Sequence, residues 1–73
     1  MTLEEYNSAS DRQSGLCLIC NKKEEGKRLN VDHSHKTGKV RGLLCGPCNR
    51  GLGDFKDNTE AMLKAIEYLK INE

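Results

Sequence analysis

Two C-x-x-C pairs, Cys17-Leu18-Ile19-Cys20 and Cys45-Gly46-Pro47-Cys48, constrain this chain more than any other feature. Each pair is a tight knuckle that can present two thiolates to one ion, and two knuckles complete a tetrahedral sulfur site. Twenty-four residues separate the pairs, which leaves room for a hairpin tied at its open end. The composition makes such a tie necessary. A chain of 73 residues with 36% apolar and 4% aromatic side chains buries a thin core, and domains this small are usually reinforced by a metal, disulfides or oligomerisation. One domain over residues 1–73 is the expectation.

The compartment decides between metal and disulfides. The opening Met1-Thr2-Leu3-Glu4-Glu5 is acidic and lacks the apolar stretch of a signal peptide. No apolar run approaches the roughly 18 residues that span a membrane. The expected location is therefore intracellular, in the cytoplasm, where cysteines favour metals over disulfides. Four-thiolate Zn²⁺ is expected, with rubredoxin-like iron and two disulfides as the alternatives. A saturated sulfur site has no open position, so the ion is structural and its binding contributes to folding. Lys22, Lys23, Arg41 and Arg50 lie near the knuckles in sequence and can offset the excess negative charge of four thiolates. Cys45-Gly46-Pro47-Cys48 also has the spacing of a redox dithiol, but no parallel βαβ pattern surrounds it.

Periodicity supplies the elements. Residues 2 to 13 read as a short helix, with Thr2 and Glu5 as a capping box and Leu3, Tyr6 and Ala9 as an apolar stripe. Gly15 ends it. Residues 29 to 33 alternate, with Leu29, Val31 and His33 on one side and Asn30 and Asp32 on the other, the pattern of a strand. Ser34 to Lys39 is a turn, and Val40 to Leu44 a second, antiparallel strand. Asn49 to Gly53 reads as one or two helical turns, poor in propensity because of two glycines. Asp57 to Lys70 is the clearest helix, with Asp57 and Glu60 as its cap. Met62, Ile66 and Leu69 line one face, read as core or dimer contact. The fold class is small α+β.

Between the knuckles lie residues with chemistry. Asp32 is a hard oxygen ligand suited to Mg²⁺ or Mn²⁺. His33 is a candidate general base. Asn49, directly after the last cysteine, offers an amide oxygen held by the knuckle. A cation on Asp32 and Asn49 could bridge a scissile phosphate while His33 activates water. Singly, Asp32 reads as a turn residue and Asn49 as a helix cap; together and in this order they point to phosphodiester hydrolysis. On a regular strand Asp32 and His33 face opposite sides, so both reach one phosphate only if the strand ends or bulges there. The net charge of +1 does not itself announce a nucleic-acid partner. Any phosphate-binding field must come from Lys36, Lys39, Arg41, Arg50 and Lys56 acting locally.

The string Val31-Asp32-His33-Ser34-His35, then Thr37 through Cys45, then Cys48-Asn49, resembles the phage recombination endonuclease VII family of HNH, or ββα-metal, nucleases. The match covers roughly residues 13 to 53 and both knuckles. The resemblance implies a zinc-stabilised ββα-metal core with flanking N- and C-terminal helices and a divalent-metal-dependent DNA endonuclease. In that frame Asp32 and Asn49 hold the ion, His33 is the base, and His35 assists at the phosphate or metal. Such a chain would be phage-encoded and work in the host cytoplasm. Two departures stand out: Ser34 replaces a second Asp, and Leu52 sits where the resolvase prototype has an acidic ligand. The long C-terminal region through which junction resolvases interlock is also missing, so nicking or weakly specific cleavage is expected, with a homodimer through the terminal helices as an option. The rival is a non-catalytic zinc module that binds nucleic acid or a protein.

Overall fold

A computed structural model describes residues 1–72. The order is α1 (Leu3–Arg12), β1 (Asn30–His33), β2 (Val40–Leu44), α2 (Gly46–Asp54) and α3 (Thr59–Ile71). This is the small α+β architecture expected, with one two-stranded antiparallel sheet.

Helix α1 starts as its capping box dictates. The Thr2 hydroxyl accepts the Glu5 N–H at 3.1 Å, and the Glu5 carboxylate accepts the Thr2 N–H at 2.8 Å. The same Thr2 hydrogen bonds hold the Glu5 carboxyl below its usual range. The turn that stops the helix begins one residue before the expected Gly15: Ser14 turns left-handed at φ +55° and its N–H reaches the Asp11 carbonyl at 3.1 Å, while the Gly15 N–H closes the turn on the Ser10 carbonyl at 2.8 Å. Of the stripe, Tyr6 and Ala9 are buried and Leu3 is exposed. The Tyr6 hydroxyl donates to the Leu29 carbonyl at 2.9 Å, which docks the helix on the start of β1. Arg28 stacks over the Tyr6 ring, 4.5 Å from its centroid.

The hairpin carries the core. Leu43 is wholly buried, with Leu44, Leu29, Tyr6, Ala9, Cys17 and Cys45 around it. Gln13 extends the sheet: its side-chain amide donates to the Leu43 carbonyl at 2.9 Å, and its oxygen accepts the Leu43 N–H at 3.0 Å. An amide of this kind satisfies both backbone groups on the open edge of β2. A Cβ at Gly42 would lie 2.7 Å from Leu18 Cδ2, so the exposed Leu18 side chain would have to move aside for any larger residue there.

The register breaks at one place. Asp32 pairs with Gly42 and His33 with Val40, so Arg41 is the extra residue of a bulge in β2. Bulges leave one residue out of the ladder and sharpen the local twist.

Three expectations are corrected. Helix α2 begins at Gly46, inside the second knuckle, and runs to Asp54, longer than the one or two turns over 49–53. Pro47 near its first position suits a helix start, where no N–H is needed. Helix α3 is capped by Asn58, whose side chain accepts the Ala61 N–H at 3.0 Å. The Asp57/Glu60 cap does not form, because Asp57 lies outside the helix with φ +56°. The stripe on α3 is not core either: Ile66 and Leu69 are at least half exposed, Met62 is half-buried, and no residue of the helix is fully buried.

Candidate functional site

The four cysteine sulfurs lie within 4.8 Å of one another. Tetrahedral Zn–S bonds of about 2.3 Å place sulfurs about 3.8 Å apart, and Cys20 Sγ and Cys45 Sγ are separated by 3.7 Å. All four are free thiols. The backbone shapes the first knuckle: the Cys17 N–H donates to the Lys22 carbonyl and the Asn21 N–H to the Cys17 carbonyl, both at 2.9 Å, with Asn21 left-handed at φ +62°. The second knuckle is built by the first turn of α2.

Ionisation of these thiols is uneven. Burial resists ionisation of Cys17, yet hydrogen bonds with the Cys45, Cys20 and Ile19 backbone outweigh it and bring its pKa down to about 6. Cys48 is pushed up to about 12 by burial and by the sulfurs of Cys45, Cys17 and Cys20. Cys45 is raised too: a Cys48 backbone hydrogen bond favours its ionised form, but burial and the sulfurs of Cys20 and Cys17 prevail. Four thiols this close cannot share negative charge without a cation. The donor set and spacing fit zinc, held by Cys17, Cys20, Cys45 and Cys48.

The second group of residues lies at the turn end of the hairpin. Asp32 is 8% exposed, the one buried charged side chain among the described residues. It lines a shallow cleft with Leu18, Ile19, Leu44 and Leu52. Arg41 grips it through both carboxylate oxygens, Nε to Oδ2 at 2.6 Å and Nη2 to Oδ1 at 3.1 Å. The same Nη2 stands 3.5 Å from each oxygen of Asp57. His35 Nε2 lies 3.5 Å from Asp57 Oδ2. The Arg41 guanidinium is raised above its usual pKa, first by its hydrogen bond to Asp32.

Among the sequence candidates, Asp32, Arg41 and His35 are thus joined in one chain of contacts through Asp57. Arg41 serves these carboxylates, a correction to its expected role of offsetting charge at the sulfur cluster. His33 is exposed at the end of β1, directly after Asp32, and Asn49 is half-buried in the first turns of α2, a helix that packs on β1. Neither side chain hydrogen-bonds to the Asp32–Arg41–Asp57 chain among the described residues. Asn49 is held by its backbone, its N–H reaching the Cys45 carbonyl at 3.0 Å. Ser34 organises the turn, its hydroxyl accepting the N–H groups of Lys36 and Thr37 at 3.2 Å each. Lys36, Lys39, Arg50 and Lys56 are exposed.

Asp57 is the residue that sequence reasoning misplaced. Expected as the cap of α3, it is displaced from that role by its neighbour Asn58. The structure uses both: Asn58 caps, while Lys56 and Asp57 take consecutive left-handed conformations at φ +54° and +56°, and the Asp57 N–H returns to the Leu52 carbonyl at 3.0 Å. Asp tolerates that conformation better than most residues. A groove of about 600 Å³ lined by Ser34, His35, Lys36, Arg41, Lys56 and Asp57 results.

The model of the family described as recombination endonuclease VII matches residues 1–71. A "Gene 59 protein" of Mycobacterium phage D29 is 49% identical over 72 residues, covering 96% of this chain and 44% of that protein. A "Gene 59 protein" of Mycobacterium phage L5 is 49% identical over 71 residues, covering 94% of this chain and 43% of that one. The chain therefore spans less than half the length of these relatives.

Proposed function

This chain belongs to the recombination endonuclease VII family, and from that premise we propose that it is a divalent-metal-dependent endonuclease hydrolysing phosphodiester bonds in DNA. The proposed architecture is a ββα-metal core made of β1, β2 and α2, with the cysteine site as its structural brace. The observation that carries this reading is the buried Asp32 carboxylate, placed one residue before an exposed His33 and beside a break in the ladder. Burying a charged carboxylate is costly without a cation partner; Arg41 fills that role in this structure, and a divalent ion would use the same two oxygens.

Asp32 and Asn49 are the proposed ligands, both hard oxygen donors suited to Mg²⁺ or Mn²⁺. When bound, the ion would stabilise charge developing on the phosphate and the leaving oxygen. His33 would take the proton from the attacking water, and its exposure at the strand end leaves it accessible to solvent. His35, Lys36, Lys39, Arg41 and Arg50 would face the phosphates, with Lys56 in the same groove. Their contacts would be mainly electrostatic, hence sensitive to salt and weakly selective for sequence.

Plasmid nicking in Mg²⁺ or Mn²⁺ tests the reading. His33→Ala should lower the rate by about 10²- to 10⁴-fold, the usual contribution of a general base, with zinc content and circular dichroism unchanged. Equal cleavage by both proteins would remove His33 as the base. Absence of cleavage by the wild type with any divalent ion would leave the non-catalytic binding module as the better description. EDTA should stop cleavage before it unfolds the protein, because sulfur-bound zinc is held more tightly than Mg²⁺.

A further inference from the structure

We propose that Arg41 and a divalent ion are exchangeable occupants of the Asp32 carboxylate, and that Asp57 is a positioning residue that receives the guanidinium when the ion is seated. The inference rests on Asp32 being an ion ligand and adds what the ion must displace.

The guanidinium uses both Asp32 oxygens, at 2.6 and 3.1 Å. This two-pronged geometry is the strongest grip an arginine makes on a carboxylate. A small hard cation binds such oxygens at about 2.0–2.1 Å, so it competes for the same lone pairs and repels the guanidinium. Three features make the exchange easy. Arg41 is the bulge residue of β2, outside the regular pairing, and its side chain is 38% exposed, so it can move without dismantling the sheet. The second acceptor already stands 3.5 Å from Nη2, which means that a shift below about 1 Å turns a loose contact into a full hydrogen bond. Asp57 is fixed where it is needed by its left-handed backbone and its bond to Leu52. Once released to Asp57, the guanidinium remains in the groove with Lys36 and Lys56, in place to meet a phosphate.

The test is Mn²⁺ binding without DNA, read from the electron paramagnetic resonance of free Mn²⁺, on zinc-loaded proteins with wild-type circular dichroism. Arg41→Ala should tighten Mn²⁺ binding by tenfold or more. Arg41→Lys keeps the charge and loses the fork, so it should tighten binding to an intermediate degree. Asp57→Asn should weaken it about three- to tenfold, because the guanidinium then has nowhere else to go. Asp57→Asn added to Arg41→Ala should have no further effect, since nothing remains to be received. Mn²⁺ affinity in Arg41→Lys at or below that of wild type overturns the exchange, as long-range charge alone would then explain Arg41→Ala. A further loss in the double variant overturns the role of Asp57, which would be acting on the ion directly. Asp32→Asn separates this inference from its premise. If it binds Mn²⁺ as wild type does, the ion seat itself is wrong. If it loses Mn²⁺ while neither Arg41 variant tightens binding, the seat stands and the exchange falls.

Discussion

The hairpin and helix α3 use the same apolar residue types and meet opposite fates. Leu29, Leu43 and Leu44 are buried, whereas Leu63, Ile66 and Leu69, spaced as regularly, face solvent over half or more of their surface. The difference lies in what each segment can fold against. The hairpin is closed at one end by four sulfurs and covered by α1 and α2. Helix α3 follows a loop with two left-handed residues and leads away from that core, giving extents of 43 × 28 × 19 Å. Periodicity states which face of an element is apolar, and it does not state whether a partner exists for it.

Metal removal should break the comparison most completely. Structural zinc sites bind with about 10–16 kcal/mol, as much as or more than the whole stability of an ordinary small domain. Stripping the zinc with a tight chelator should therefore abolish the cooperative denaturant transition and leave a chain with only residual helix by circular dichroism. A chelated protein that still unfolds cooperatively at the same denaturant midpoint would show that the leucines of the hairpin suffice.

Within the folded protein, paired truncations should separate the two regions. Leu43→Ala removes a fully buried side chain and should cost about 2–5 kcal/mol, the range for leucines in closed cores. Leu69→Ala, at 61% exposed, should change stability by less than about 0.5 kcal/mol. Urea denaturation of both variants measures the contrast. A cost above 1 kcal/mol for Leu69→Ala would mean that the α3 face has a partner in solution.

The same contrast explains what the sequence makes legible. The knuckles, the capping box at Thr2 and Glu5, and the two strands follow from local spacing, and each appears at the expected residues. The sulfur cluster is legible because its ligands depend on backbone turns within each C-x-x-C. What depends on long-range placement is not. Nothing local announces that Gln13 will bond to Leu43 thirty positions away, or that Arg41 will turn to Asp32 and not to the thiolates. The bulge that frees Arg41 is a register mismatch between strands, invisible in either strand alone. Asp57 and Asn58 are both good caps, and the choice between them falls to the loop geometry. That choice moves Asp57 from a helix terminus to the candidate site, where it links Arg41 and His35.

The helix caps offer the finest version of the comparison. Thr2 and Asn58 perform the same chemistry, a side-chain oxygen accepting a backbone N–H in the first turn, at 3.1 and 3.0 Å. Thr2 caps a helix that Tyr6 and Ala9 bury against the hairpin, so its loss is felt by the whole cooperative unit. Thr2→Ala should lower the global unfolding free energy by about 1 kcal/mol. Asn58 caps a helix with few contacts to that unit, and an isolated helix of 13 residues is marginal in water. Asn58→Ala should then fray α3 locally, raising amide exchange from Leu63 to Lys70 while the exchange of Leu43 and the urea midpoint stay at wild-type values. Equal shifts of the global midpoint by both substitutions would make α3 part of the same folding unit as the hairpin, and the division drawn between the two regions would not hold.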